Sequence, residues 1–283
     1  MKVVKKVRAP VRIDFAGGTT DIQPFPRKYG GAVLNAAINR YVVGELVIDD
    51  KKTHLEYTGD IPTSSGLGTS SAMNVAWLAL ITHHKDKDKI AEGAFKIEQA
   101  FTESKANGKQ DQYAAAYGGI NFMEFRNDKV YVHPLRLNKK IMTRLENSLV
   151  LVYSGKSHLS GSSNRAAVEN LLKGKNTKNL MRLKQIAIEM KDSLMKGNLD
   201  NFAMLMNQET EERRKLSKVT ISPQLQEIIS KGMENGAIAA KVCGSGGGGS
   251  VLFFTKDRKR LEKAFGQKVI DFRFDFQGLQ WIK

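Results

Sequence analysis

The 283-residue chain has one cysteine, Cys243, six prolines and two tryptophans, and its 29 acidic residues are outnumbered by 45 lysines and arginines. A single thiol excludes an internal disulfide framework and a cysteine-built metal cage. No apolar run approaches the ~20 residues that a membrane-spanning helix needs. The opening MKVVKKVRAP lacks the apolar core of a secretory leader. The expectation is a soluble, cytoplasmic protein with no membrane partner. With 41% apolar and 26% charged residues, disorder and low complexity are excluded, and there is material for one large domain or two modest ones.

The net charge of +16 suits an anionic partner: nucleic acid, a membrane surface or a phosphorylated metabolite. Charge alone does not choose among them. The basic clusters Lys173 to Lys184 and Lys256 to Lys263 fall in amphipathic helical patterns and read as solvated faces. No aromatic-interleaved basic motif of the RNA-reading kind occurs, which argues against nucleic acid as the partner.

Short runs rich in β-branched and aromatic residues predict strands at Val3 to Val7, Val11 to Phe15, Ala32 to Ile38, Tyr41 to Ile48 and His54 to Tyr57. A helix follows, with Met73, Ala76, Trp77, Leu80 and Ile81 on its apolar face and Thr69 or Ser70 as N-cap. A second runs from Lys89 to Lys105, its face formed by Ile90, Ala94, Ile97 and Phe101. Ile120 to Phe125 and Lys129 to Pro134 form a hairpin about Asn127-Asp128. The chain restarts with a strand Leu149 to Tyr153, then helices near 164–173, 178–196, 199–216 and 223–235. Strands Ala237 to Val242 and Val251 to Thr255, a helix near 257–265 and a last strand near 268–275 complete it. The pattern is α+β in two domains, 1–145 and 146–283.

Four segments carry chemistry. Pro62 to Ala72, PTSSGLGTSSA, is a glycine turn feeding into a helix, where free N–H groups and the positive dipole end favour a phosphate. No Gly-Lys-Ser/Thr follows, so it is not the common P-loop. Gly244 to Ser250, GSGGGGS, lies between two strands and suits close backbone contact with another loop or with a ligand. Ala9 to Asp21, APVRIDFAGGTTD, leads a strand bearing Arg12 into a turn that presents hydroxyls and a carboxylate, groups that hydrogen-bond polyols. Gly108 to Tyr113, GKQDQY, sets a carboxylate among amides; in phosphoryl transfer an Asp takes the acceptor proton while cations offset the moving charge.

In this order the segments resemble the GHMP kinases, small-molecule kinases named for galactokinase, homoserine kinase, mevalonate kinase and phosphomevalonate kinase. The likeness runs from Lys6 to about Phe254, and Gly30 to Asn35 (GGAVLN) with Gly108 to Tyr113 fits the heptose-phosphate kinase and fucokinase-like branch. The resemblance implies an α+β, two-domain kinase fold with a ribosomal-protein-like N-terminal half and a ferredoxin-like C-terminal half. It implies ATP- and Mg²⁺-dependent phosphorylation of a hydroxyl, anomeric in the nearest branch, on a sugar or sugar phosphate.

The same resemblance implies roles for single residues. Ser64, Ser65, Gly66, Leu67, Gly68, Thr69 and Ser70 would wrap the ATP phosphates. Ser70, or Thr69, with Glu98 would hold Mg²⁺. Asp111 and Arg12 would be the catalytic pair. Gly18, Thr20, Asp21, Gly246, Gly247 and Gly248 would line the acceptor side. Lys109 and the loop residue His158 are further candidates. One departure concerns Thr58 to Ile61, shorter than the family's segment that helps form the adenine pocket. The rival readings are a mevalonate- or homoserine-type alcohol kinase and, from another class, a basic nucleic-acid-binding protein.

Overall fold

The computed structural model describes residues 2–50, 52–62, 64–102, 106–155, 161–217 and 219–283. In chain order the elements are β1 (Val3–Ala16), α1 (Phe25–Tyr29), β2 (Gly31–Ile48), β3 (Thr53–Gly59), α2 (Thr69–Thr82), α3 (Lys87–Phe101), α4 (Gln110–Tyr117), β4 (Ile120–Arg126) and β5 (Lys129–Pro134). There follow α5 (Lys139–Ser148), β6 (Leu149–Tyr153), α6 (Gly161–Leu172), α7 (Thr177–Met195), α8 (Leu199–Leu216), α9 (Pro223–Glu234), β7 (Ala237–Val242), β8 (Ser250–Thr255), α10 (Arg258–Phe265), β9 (Val269–Ile270) and β10 (Gln280–Ile282). A six-stranded sheet runs β10-β1-β2-β4-β5, with β3 also paired to β2, and a four-stranded sheet runs β7-β8-β6-β9. The mixed α+β architecture is as expected.

Several boundaries differ from the sequence expectation. The first four predicted strands merge into two long ones, because one irregularity absorbs both breakers: Pro10 pairs with Tyr41 and Val11 with Ile38, leaving Asn39 and Arg40 bulged out of the β1–β2 ladder. The bulge receives the C-terminal segment, Asn39 N donating to Arg273 O at 2.8 Å and Arg273 N to Asn39 Oδ1 at 2.7 Å. The strand expected near 268–275 is therefore only Val269–Ile270, and β10 instead returns to the first sheet beside β1. On α2 the buried stripe is Ala72, Val75, Ala76, Ala79 and Leu80, one residue round from the expected face; Met73 and Ile81 are exposed. The helix is apolar nearly all round, so periodicity pointed weakly. On α3 the stripe is Ile90, Ala91 and Ala94, while Phe101 is exposed. The α7 stripe of Leu180, Leu183, Ile186, Met190 and Leu194 is buried as expected.

The main core joins the two halves. Phe15 of β1 packs edge-on against Phe202 of α8 and Phe274, and the same cluster contains Ala187 and Met190 of α7 and Leu252 of β8. This places the C-terminal end of β1, the N-termini of α2 and α4, and the β7–β8 loop around one cleft.

Candidate active site

The cleft opens to solvent and spans about 940 Å³ of empty space, that solvent included, and its walls include Arg12, Asp21, Gly68, Asp111, Arg213 and Gly246. Arg12 ties three walls together. Its backbone N donates to Leu67 O at 2.9 Å. Its Nη1 donates to Gly66 O at 2.6 Å, and its Nε and Nη2 donate to the two Asp111 carboxylate oxygens, each at 2.7 Å. Burial acting alone would lower the Arg12 pKa, but Asp111 and Asp14 outweigh it and hold the guanidinium firmly charged.

The phosphate-type turn has no side-chain cap. Helix α2 starts at Thr69 behind Gly68, which sits at φ 77°, and neither Thr69 nor Ser70 is the N-cap that the sequence suggested. A left-handed Gly68 turns the chain so sharply that the first-turn N–H groups stay free of capping hydroxyls, the arrangement that receives an anion. Gly66 is held backbone to backbone against the second glycine segment: a Cβ on Gly66 would lie 2.6 Å from Cys243 O, and one on Gly244 would lie 2.8 Å from Gly66 O. Ser250 Oγ donates to Ser65 O at 2.9 Å.

Of the other expected residues, Ser64, Ser65, Thr69, Ser70, Gly18, Asp21, Glu98, Gly246 and Gly248 line the cleft. Leu67 does not: its side chain is buried in the core and only its carbonyl takes part, toward Arg12. Thr20 is fully buried and its hydroxyl braces the loop, donating to Gly17 O and Ala32 O and accepting from Ala32 N. Gly247 turns its N–H to Thr220 O at 2.8 Å. Lys109 points away from Asp111, its ammonium on Glu92 and Asp128 O. His158 lies outside the described residues.

Asp21 accepts from Gln110 N at 3.1 Å, and its Oδ1 is buried without a partner among the described residues. Burial pushes its carboxyl up to about 6, and Asp111 adds to the effect. Glu98 Oε2 accepts from Ser71 Oγ and Gln112 Nε2, both at 2.7 Å. Burial holds the Glu98 carboxyl above its ordinary range against the Ser71 hydrogen bond, with Asp111 adding to the rise. Among the described residues no group of three or more His, Cys, Asp and Glu side chains forms a metal cage.

Behind the cleft lies a buried charge cluster that the sequence reading missed. Lys241 Nζ donates to Asp14 Oδ2 at 2.8 Å and stands 3.6 Å from Glu209 Oε1. Arg213 Nε donates to Glu209 Oε1 at 2.9 Å and its Nη1 to Gly244 O at 3.0 Å. Gly244 N donates to Asp14 Oδ1 at 3.1 Å. Burial would raise the Asp14 carboxyl, yet Lys241, Arg213 and Arg12 together hold it low. Asp14 stood inside a motif and Lys241 inside a strand read from the sequence, but Glu209 and Arg213 sit on a helix whose apolar stripe gave no sign of them.

A cleft pairing an uncapped helix N-terminus with a second glycine loop and an Arg–Asp pair defines a phosphate-handling enzyme. The models for the GHMP kinases N-terminal domain and the GHMP kinases C-terminal region match residues 32–119 and 190–267, together more than half of the chain. The chain belongs to the GHMP kinase family. Among curated relatives it is 29% identical to D-glycero-alpha-D-manno-heptose 7-phosphate kinase of Campylobacter jejuni, with 99% of each chain covered. That alignment spans 340 positions, more than this chain has residues, so the relative carries insertions. The chain is also 24% identical to the bifunctional fucokinase/GDP-fucose pyrophosphorylase of Arabidopsis thaliana, covering 98% of this chain and 32% of that one. Among solved structures, a D-glycero-D-manno-heptose 1-phosphate kinase from Bacteroides thetaiotaomicron superposes with a TM-score of 0.78 at 26% identity, 99% of each chain being covered.

Proposed function

We propose that this chain transfers the γ-phosphoryl group of ATP to a hydroxyl, the anomeric one, of a sugar or sugar phosphate in the cytoplasm. The observation that carries the reading is the Arg12–Asp111 pair, fixed at 2.7 Å on both arms beside the uncapped start of α2. The first-turn N–H groups of α2 and the turn from Ser64 to Ser70 bind the phosphates. Asp111, its side chain 23% exposed to the cleft, orients the acceptor hydroxyl and takes its proton as the O–P bond forms. Arg12 stays charged and offsets the negative charge on the moving group. Gly18, Asp21, Gly246 and Gly248 form the acceptor wall, and Thr20 acts through the loop it braces. Residues 1–145 supply the catalytic and phosphate walls as one domain, and 146–283 supply the second glycine loop as another.

Mg²⁺ fits the donor set at the start of α2. Glu98 offers a carboxylate whose charge burial disfavours, Ser70 is exposed, and Thr69 Oγ1 is buried without a partner among the described residues. Mg²⁺ is characteristically held by one or two carboxylates plus substrate phosphates. When bound, it would neutralise charge on the ATP phosphates, with Glu98 and Ser70 or Thr69 as its protein ligands.

The test is ADP release with Mg²⁺-ATP across heptose 7-phosphate, fucose, galactose, mannose, mevalonate and homoserine, with Asp111→Ala as control. A sugar-dependent signal lost in the variant is expected. Absence of ADP with every acceptor overturns the proposal.

A further inference from the structure

We infer that Arg213 reads an anionic group on the acceptor, so that the natural acceptor is a sugar phosphate rather than a free sugar. The inference rests on the kinase reading above and assigns a residue to which that reading gives no role.

Arg12 and Arg213 line the cleft. Arg12 is committed on all its guanidinium nitrogens, to Asp111 and Gly66 O. Arg213 is held just as firmly through Nε and Nη1, by Glu209 and Gly244 O. Its Nη2, however, has among the described residues only Asp14 Oδ2 at 3.5 Å, an oxygen that Lys241 already engages at 2.8 Å. A guanidinium pinned on two nitrogens with a third in reserve is an oriented fork, suited to phosphate oxygens.

Its place is the acceptor wall. A Cβ on Gly18 would lie 2.3 Å from Arg213 Nη2. Gly18 is therefore without a side chain where the guanidinium meets the cleft, and Asp21 lines the same cleft three residues on. An acceptor held at Asp21 with its hydroxyl at Asp111 shares the cleft with Gly18 and Arg213. The pairing with Glu209 is what allows a cation to stand here nearly dry, its side chain 5% exposed.

The experiment measures binding and turnover of matched acceptors: D-glycero-D-manno-heptose against its 7-phosphate, and mannose against mannose 6-phosphate. Binding is read by calorimetry with a non-hydrolysable ATP analogue, so it does not depend on turnover. The variants are Arg213→Lys and the double variant E209Q/R213Q, which removes both charges and leaves no stranded carboxylate.

The wild type is expected to bind one phosphorylated acceptor about 10- to 100-fold more tightly than its free sugar, the range of a charge-assisted contact. In E209Q/R213Q this ratio should fall toward one, and Arg213→Lys should keep part of it. A purely structural role would weaken both members of a pair equally and leave the ratio unchanged. An unchanged ratio in both variants, or no preference for phosphate in the wild type, overturns the inference. A phosphate preference that needs Arg213 but comes with no ADP release would sustain it and refute the kinase reading instead.

Discussion

Replacing Asp111 with asparagine separates chemistry from architecture more cleanly than any other single change. Asparagine matches the shape of aspartate but keeps one acceptor oxygen for the two donors Arg12 presents at 2.7 Å. Breaking a buried pair by removing one partner costs about 3–5 kcal/mol. The Asp111 side chain is 23% exposed, so screening reduces this to about 1–2 kcal/mol and the variant stays folded. The rate should fall much further, since a positioned base contributes about 10²- to 10⁴-fold, or ~3–5 kcal/mol of barrier. Initial-rate ADP release at saturating ATP and acceptor, with thermal unfolding alongside, measures both quantities. A kcat lowered about 100-fold or more with KM for ATP nearly unchanged is the expected pattern. A kcat within about threefold of wild type would show that Asp111 does not act in the transition state.

Other outcomes follow from the same geometry. Lys241→Met takes from Asp14 its nearest cation and should lower the unfolding free energy by about 3–5 kcal/mol in a denaturant titration; unchanged stability would mean the cluster is neutral in sum. Gly66→Ala forces a side chain to φ 77° and to within 2.6 Å of Cys243 O, so the two glycine segments must part and KM for ATP should rise roughly tenfold or more. An unaltered KM would place the nucleotide elsewhere. Glu98→Gln should raise the Mg²⁺ concentration needed for half-maximal rate; an unchanged requirement moves the cation to other donors. Asp21, with its folded pKa near 6 against 3.8, binds its proton more tightly when folded, so its contribution to stability declines as pH rises from about 4 through 6. The size is up to about 3 kcal/mol. Melting curves of wild type and Asp21→Asn at pH 4 and pH 7 should therefore converge in shape only if Asp21 titrates normally; the expected result is a pH-dependent gap.

Where sequence reading faltered, the reason is traceable to single contacts. Pro10 and the Asn39-Arg40 pair are genuine local breakers, yet both fall in one bulge that the returning C-terminal segment caps. Nothing local to residues 280–282 announces that they will pair with Lys6 to Arg8. Thr20 is a polyol-binding type of residue by chemistry, but Gly17 in its own turn and Ala32 on β2 engage its hydroxyl. Lys109 adjoins the site in sequence and faces Glu92 in space.

By itself the sequence determined what is local in origin: the α+β class, the strongly periodic stripe of α7, and the glycine turns, whose backbone freedom is a property of the residue. It also marked Arg12, Asp21 and Asp111 as chemically able groups. The tertiary structure alone decided which of these groups meet. Arg12 and Asp111 are 99 positions apart, and Lys241 reaches Asp14 across 227. Such pairings depend on how two sheets and their helices pack, and in a dry interior a charge must find whatever partner that packing brings within reach. That is why Arg213, unremarkable on a helix read alone, comes to line the cleft, with Glu209 paired to it from behind.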